Sequence, residues 1–333
     1  MILHRHINEI DPQQWQQLVD KSEMSCFFQT PECYDFYRSL TFLEPFLTGV
    51  SEDGELKGIV CGYIVSDGGL FKRYFSRRAI IPGGVLLSPK ISVNALHALF
   101  AETVSLLRNK AIYIEVRNYN DFSTYRDTIE LSGFRYQPHF DIHVPVRDLQ
   151  STFQNLSESK RRQINSSRKA GVTWSETTEL EDVKAFYKLL RHLYKSKVKT
   201  PLFPLEFFEK LVQFPFGKLL VVRCDNRIIG GMACVALQKR IFYEWFVCGE
   251  DRAGGRIYPS VVATWAGLEY AAQNGIPTFD FMGAGKPGAA YGVRDFKRKF
   301  GGELVEYGRF LYICKPFLYK LGRGMITLLK TFA

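Results

Sequence analysis

The chain has 333 residues, a length at which two domains are expected. Hydrophobic residues make up 46% of it and charged residues 23%, which is ordinary for a folded globular protein and excludes disordered and fibrous classes. A formal net charge of +10 favours anionic partners, which include phosphates, nucleotides, RNA and an anionic membrane surface, but does not choose among them.

Patterns of cysteine, histidine and hydropathy exclude further classes. The seven cysteines form no CxxC pair and lie mostly in apolar segments, which predicts buried thiols in a reducing cytoplasm. The six histidines show no metal-ligand spacing, so no metal is predicted. The first residues lack a signal-peptide pattern, and no apolar run reaches the ~18 residues of a spanning helix, so we expect a cytoplasmic protein.

The first half contains, in order, two short helices, a β-hairpin with an Asp-Gly turn, a further strand, an amphipathic helix and two buried strands. These elements lie at residues 11–21, 31–40, 45–67, 79–89, 91–110, 111–118 and 140–146. They predict a first domain over residues 1–148.

The second half repeats this order of hairpin, helix and buried strand. Two helices, a meander, a helix that ends at a glycine and a strand lie at residues 180–197, 204–214, 217–251, 259–275 and 276–283. We therefore expect a second α/β domain of the same kind over residues 149–333.

A cationic helix is predicted at the junction of the two domains. It carries Lys160, Arg161, Arg162, Arg168 and Lys169. Such a run is usually a solvated helix face, but its place at the junction also suits a surface that binds phosphate or RNA.

Several segments resemble the Fem-type branch of the GNAT acyltransferase superfamily. The most specific are WAGLEYAAQNGIPTFDFMG at 265–283 and DFKRKFGGELVEY at 295–307, which is similar to the family's FK-x-x-FGG signature. Weaker likenesses occur at residues 27–39, 82–85 and 157–172.

The resemblance implies an α/β fold of tandem GNAT-like domains, each with a mixed, mostly antiparallel sheet flanked by helices. It further implies an acceptor cleft between or beside the domains and a donor that is either aminoacyl-tRNA or acyl-CoA. The best-known members add amino acids to peptidoglycan precursors. Arg38 stands where family members use a cation for the acceptor's phosphates.

Acyl transfer to an amine passes through an anionic tetrahedral intermediate, which needs a cation or hydrogen-bond donor beside its oxygen. Lys297 is the first candidate, because Phe296 and Phe300 lie four residues apart and would hold it by packing. The resemblance assigns the same role to this lysine. The alternative is a solvated cationic turn.

Further site residues are predicted around the glycine-rich loop that follows the strand at 276–283. Asp280 ends that strand and is a candidate to accept a proton from the amine or to cap the loop. Lys286 and Tyr291 would contact substrate from the loop, and Arg294 would bind a donor phosphate; a plain surface loop is the alternative.

Two more candidate groups belong to the second half. Arg252, Gly254 and Gly255 partly match the glycine pattern with which GNAT enzymes bind the pyrophosphate of CoA, but Ile257 occupies its last small position. That mismatch favours aminoacyl-tRNA or an altered acyl-CoA pocket. Strand alternation places Tyr243 and Trp245 on one face and Glu244 on the other, so only one set can line a cleft, and core packing is favoured for the aromatics.

Three functions are compatible with these residues. The first is an N-acyltransferase that moves an aminoacyl or acyl group onto an amine of a peptidoglycan or other cell-surface glycan precursor. The second is an acyl-CoA-dependent N-acetyltransferase acting on a nucleotide-sugar or small amine. The third is a non-enzymatic tandem GNAT module that binds RNA or membrane.

The tail from residue 310 is apolar with interspersed cations, and is either a docked helix or a helix lying on the inner face of the cell membrane.

Overall fold

The computed structural model describes residues 1–67, 75–250, 254–288 and 290–331, with the side chains of Arg323 and 325–331 omitted. The chain forms two compact units, residues 1–139 with 306–333 and residues 140–305. Within the described ranges, no helix combines the length and apolarity needed to cross a bilayer.

The first unit is built on an eight-stranded sheet. Its strands are β1 (Ile2–His4), β2 (Glu44–Glu52), β3 (Glu55–Val65), β4 (Arg78–Gly83), β5 (Leu86–Leu87), β6 (Tyr113–Asn118), β7 (Arg135–Gln137) and β15 (Arg309–Ile313). The order across the sheet is β1-β2-β3-β4-β6-β15-β7, with β5 beside β3. The pairing of β4 with β6 is parallel.

Five α-helices of the described residues belong to the first unit. They are α1 (Pro12–Lys21), α2 (Pro31–Ser39), α3 (Val93–Leu107), α4 (Arg126–Leu131) and α11 (Pro316–Thr331). In α3, Ser92 caps the helix by accepting a hydrogen bond from the Ala95 N–H, and Leu99 and Phe100 are buried in the core. The amphipathic helix predicted at 91–110 is therefore confirmed.

The second unit has a seven-stranded sheet. Its strands are β8 (Phe140–Pro145), β9 (Thr173–Thr177), β10 (Gly217–Cys224), β11 (Arg227–Leu237), β12 (Ile241–Gly249), β13 (Thr278–Asp280) and β14 (Glu303–Glu306), in the order β14-β8-β13-β12-β11-β10-β9. Strands β12 and β13 pair in parallel, whereas the pairs β9–β10, β10–β11, β11–β12 and β8–β13 are antiparallel.

The helices of the second unit are α5 (Leu149–Gln154), α6 (Glu158–Lys169), α7 (Leu180–Leu193), α8 (Leu205–Leu211), α9 (Pro259–Gln273) and α10 (Gly292–Arg298). Helix α9 begins with a proline at its first turn and is buried over most of its surface, with Trp265 and Leu268 in the core. Gly275 follows the helix with φ +64, as a glycine after a helix end commonly does.

The predicted fold class, two α/β domains with mixed, mostly antiparallel sheets, is confirmed. The units of the structure differ from the predicted domains 1–148 and 149–333 in two respects. Strand β8 belongs to the second sheet, where His143 pairs with Asp280, and β15 belongs to the first, where Phe310 pairs with Val116. Both pairings join residues far apart in sequence, so chain order does not indicate them.

Candidate active site

The candidate site begins where two parallel strands stop pairing. Strands β12 and β13 pair from Ile241–Thr278 to Tyr243–Asp280, after which β13 ends and β12 continues to Gly249. A β-bulge follows at once on β12, because Cys234 lies opposite Glu244 while the preceding Ala233 lies opposite Phe246. Glu244 therefore occupies the first position beyond the paired segment.

This bulge corrects the predicted alternation of Tyr243, Glu244 and Trp245. Trp245 is the extra residue of the bulge, so simple period-two alternation does not hold beyond Glu244. Tyr243 is fully buried, and Trp245 packs edge-on against Phe207 with ring centroids 4.8 Å apart. Both aromatic rings are packing residues, in agreement with the core packing favoured for them, and Glu244 Oε1 lies 3.3 Å from the Lys297 ammonium.

Two buried carboxylates hold the loop that follows β13. The Met282 N–H donates to Asp280 Oδ1 at 2.6 Å, and the Gly283 N–H donates to Asp141 Oδ1 at 2.7 Å. Met282 has φ +55, an uncommon conformation for a residue with a side chain. The contact from Asp280 is the capping interaction that the sequence left as an alternative to a catalytic role.

Two cations hold the carbonyl groups of the same loop. Lys297 Nζ donates to the carbonyl oxygens of Phe281 at 2.7 Å and Gly283 at 3.0 Å. Arg294 Nε donates to Ala284 O at 2.8 Å. Carboxylates thus accept hydrogen bonds from the N–H groups of this loop, and cationic side chains donate hydrogen bonds to its carbonyl groups.

The Lys297 ammonium points into the protein. Its side chain is 11% exposed, and its nitrogen lies 3.3 Å from Glu244 Oε1. Because an ammonium has three hydrogens, these three acceptors use its full donor capacity. The predicted contact with an acyl oxygen stays a prediction, and it requires one of the three acceptors to give way.

The two phenylalanines predicted to flank Lys297 face a different cation. The rings of Phe296 and Phe300 lie 5.2 Å apart, and Lys160 Nζ lies 3.9 Å from the Phe296 centroid. Burial, together with the charge of Lys299, lowers the pKa of Lys160 to about 8. Lys160 is therefore a buried cation over an aromatic ring and not part of a solvated helix face.

The other cations predicted to bind substrate have local partners. Arg161 donates to Gln154 O at 2.7 Å, and exposed Arg162 lies 3.5 Å from Glu158. In the first unit, exposed Arg38 pairs with Asp35 at 3.3 Å. These contacts leave their substrate-binding roles as predictions.

The remaining predicted residues lie in exposed loops. Lys286 and Tyr291 are exposed, and Tyr291 packs beside Gly285. Gly254 and Gly255 are exposed with positive φ just before α9, while Arg252 lies outside the described residues.

Asp141 and His143 belong to the site although sequence reasoning missed them. They alternate on the otherwise apolar strand β8, and His143 Nε2 lies 3.3 Å from Asp280 Oδ2. Two polar residues on one face of a buried strand were the available signal. One ligand atom each from Asp141, His143 and Asp280 lies within 4.8 Å of the others, so these three could hold a metal ion.

Burial sets the protonation of the site. It raises the pKa of Glu244 to about 7, against the opposing charge of Lys297. Burial, followed by the charge of Asp280, raises the pKa of Asp141 well above its usual range. Burial alone would lower the pKa of His143, but the ion pair with Asp280 outweighs it and raises that pKa to about 9. Glu244 thus changes charge near neutral pH.

Comparison with known protein families finds one match, in the second unit. Residues 154–298, which contain Glu244, Asp280 and Lys297, match the family described as acetyltransferase (GNAT) domain. No curated protein matches the sequence at a significant level.

Solved structures share the whole fold at low sequence identity. FemX has a TM-score of 0.71 at 16% identity, covering 96% of this chain and 99% of its own. A tandem GNAT protein from the clavulanic acid biosynthesis pathway has a TM-score of 0.62 at 11% identity, with 94% and 98% covered. L-PGS from Bacillus licheniformis has a TM-score of 0.55 at 13% identity, with 92% of each chain covered.

The chain therefore has the tandem GNAT fold, and its second unit carries a GNAT acetyltransferase domain. Its fold is similar to that of FemX, in agreement with the resemblance of its motifs to the Fem-type branch.

Proposed function

We propose that this chain is an N-acyltransferase that moves an aminoacyl or other acyl group onto an amine of a peptidoglycan or other cell-surface glycan precursor. The observation that carries the proposal is the buried Glu244–Lys297 pair where β12 and β13 part. The GNAT domain match supports the reaction class. The resemblance to Fem-type proteins motivates this choice of acceptor.

Glu244 is the proposed proton acceptor. Its Oε2 is buried without a hydrogen-bond partner, and a carboxyl with a pKa near 7 suits a general base at neutral pH. The amine nitrogen forms a bond to the acyl carbon and gives its proton to Glu244. The bond from that carbon to the oxygen of the tRNA ester, or to the sulfur of the CoA thioester, then breaks, and the leaving group takes up a proton.

Lys297 is the proposed positioning residue for this step. Its ammonium fixes the Phe281 and Gly283 carbonyls and keeps the pKa of Glu244 from rising further. Asp280 and Asp141 fix the same loop by accepting hydrogen bonds from its N–H groups. A direct contact of Lys297 with the oxyanion would be a second role for the same group.

The donor is proposed to be aminoacyl-tRNA or acyl-CoA. One observation favours the acyl-CoA alternative, in which the acceptor is a nucleotide-sugar amine or a small amine. Gly254 and Gly255 are exposed, have φ of +89 and +50, and lie five and four residues before Pro259, where α9 begins, a backbone arrangement suited to phosphate groups.

Mass spectrometry tests the proposal. Purified protein is incubated with amine-containing glycan precursors and with either charged tRNA or acyl-CoA, and the added mass identifies the transferred group. We expect a mass increase with one donor class. No increase on any amine with either donor would refute the acyltransferase proposal, and saturable CoA binding without an effect of charged tRNA would select the second function.

A further inference from the structure

The last helix of the first unit carries an apolar face that the described part of the fold leaves exposed. Phe317 is 78% exposed and Leu321 is 46% exposed, although both are large apolar side chains within α11. They lie four residues apart and so share one face of the helix. Exposed apolar residues that adjoin in this way mark an interaction surface more often than isolated ones do.

The contact that docks α11 uses another face. Tyr319 packs edge-on against Tyr113 of β6 with ring centroids 5.6 Å apart, and Lys315 Nζ donates to Asn109 O at 3.4 Å. Tyr319 lies two residues from both Phe317 and Leu321, which at 100° per residue places it on the opposite side of the helix. The docked side and the apolar side of α11 are therefore different.

The sequence continues the same apolar pattern beyond Leu321. Apolar residues recur at intervals of three and four, at positions 317, 318, 321, 325, 328 and 329. Cations alternate with them at positions 315, 320, 323 and 330. From residue 307 to residue 333 the chain has five Lys and Arg residues and no Asp or Glu.

We propose that α11 is a membrane-surface helix whose Phe317–Leu321 face inserts into the headgroup region of an anionic bilayer. An apolar helix face with Lys320 beside it, in a segment whose sequence has no acidic residue, is complementary to anionic lipid. A second copy of this chain is disfavoured as the occupant, because a symmetric contact would bring the same cations against each other. Gly322 and Gly324 weaken the helix in water, so burial of its apolar face would also stabilise it.

Vesicle co-sedimentation of the full chain tests this proposal. The probes are vesicles of phosphatidylcholine with about one third phosphatidylglycerol, and vesicles of phosphatidylcholine alone. We expect binding to the anionic vesicles, weakening as salt is added, and little binding to the neutral ones. Equal binding to both, or binding to neither, would overturn the proposal.

Matched variants assign the binding to α11. Phe317→Glu with Leu321→Glu is expected to weaken vesicle binding by more than ~10-fold, while Leu131→Glu, which changes an 80% exposed leucine of α4, leaves it unchanged. Lys320→Glu should weaken binding on the order of tenfold, with exposed Lys90→Glu as its control. Vesicle binding that survives the double substitution overturns the proposal.

Analytical sedimentation without lipid tests whether a second copy of this chain covers the Phe317–Leu321 face. A concentration-dependent dimer that the double substitution abolishes would show that a second copy covers this face, and would overturn the lipid proposal. Neither measurement depends on acyl transfer, so the lipid proposal and the acyltransferase proposal fail or succeed separately.

Discussion

At the scale of the residue, the site depends on charges that are buried together. The sequence predicted Asp280, Lys297, Arg294 and Glu244 because motif and strand position single them out. It did not predict the direction of the Lys297 ammonium, since its three acceptors come from β12 and from the loop after β13. Asp141 and His143 were missed because they reach the site only through the pairing of β8 with β13.

The substitution Glu244→Gln tests the proposed base. We expect turnover to fall by about 10²-fold or more, because the amide does not accept the amine's proton. In the unmodified protein the rate should rise with pH through about 7 as Glu244 loses its proton, and this rise should be absent in the variant. Exposed Glu179→Gln is the control, and a variant that keeps both the rate and the pH profile would exclude Glu244 as the base.

Lys297→Met should lower turnover by ~10²-fold while the protein stays folded. A positioning role makes a second expectation, in which the acidic limb of the pH–rate profile moves above pH 7 because Lys297 no longer lowers the pKa of Glu244. Exposed Lys299→Met serves as the comparison. Near-normal activity would show that Lys297 has no part in the mechanism. Reduced activity with an unchanged acidic limb would exclude the positioning role and leave direct contact of Lys297 with the acyl group as its role.

His143 makes folding stability depend on pH. Its pKa is 6.5 in the unfolded chain and about 9 in the folded one, so the folded state binds the proton more tightly. This stabilisation is complete below pH 6.5, is lost as pH rises to 9, and amounts to at most about 3 kcal/mol. Urea unfolding across that range should show a flatter pH dependence for His143→Gln than for the unmodified protein or for exposed His97→Gln. An unchanged slope would contradict the His143–Asp280 ion pair.

At the scale of the element, the structure explains the double glycine of the FGG motif. A Cβ on Gly302 would lie 2.5 Å from the backbone oxygen of His143, and the residue has φ +92. The motif therefore holds the segment after α10 close against β8. Sequence patterns predicted most of the longer helices and strands, because each follows its own periodicity, but they missed β9 and gave a helix from residue 310 where β15 lies. The bulge at Trp245 was not predicted, since it arises from pairing with β11.

Gly302→Ala is expected to destabilise the second unit by about 2 kcal/mol or more, because it adds a backbone clash to an unfavourable φ. Gly171→Ala is the matched control, since Gly171 has φ +79 with nothing within 4 Å of its added Cβ, and should cost only ~1 kcal/mol. Urea midpoints at a constant m-value measure the difference. Equal costs at the two positions would show that the approach to β8 is not tight.

At the scale of the whole molecule, each unit is completed by a segment that chain order assigns to the other. Strand β15 lies between β6 and β7 in the first sheet, and β8 lies between β14 and β13 in the second. The repeated order of elements was enough to predict two similar domains. It did not predict their boundaries, because a strand's partner depends on contacts over nearly two hundred residues and not on local propensity.

Fragments test these boundaries. Residues 140–305 should fold cooperatively on their own, whereas residues 149–305, which lack β8, should not. Residues 1–139 should also fail, because the absence of β15 separates β7 from the rest of the first sheet. Circular dichroism with urea unfolding distinguishes these outcomes, and a cooperative transition in the 1–139 fragment would contradict the assignment of β15.

The late position of β15 has a consequence for biosynthesis. Domains of a nascent polypeptide ordinarily fold in order from the N-terminus as translation proceeds. Here the first sheet includes residues 309–313, which are synthesised after every strand of the second unit. The second unit therefore has all of its strands before the first unit does. The N-terminal unit is therefore the last of the two to complete its sheet during synthesis.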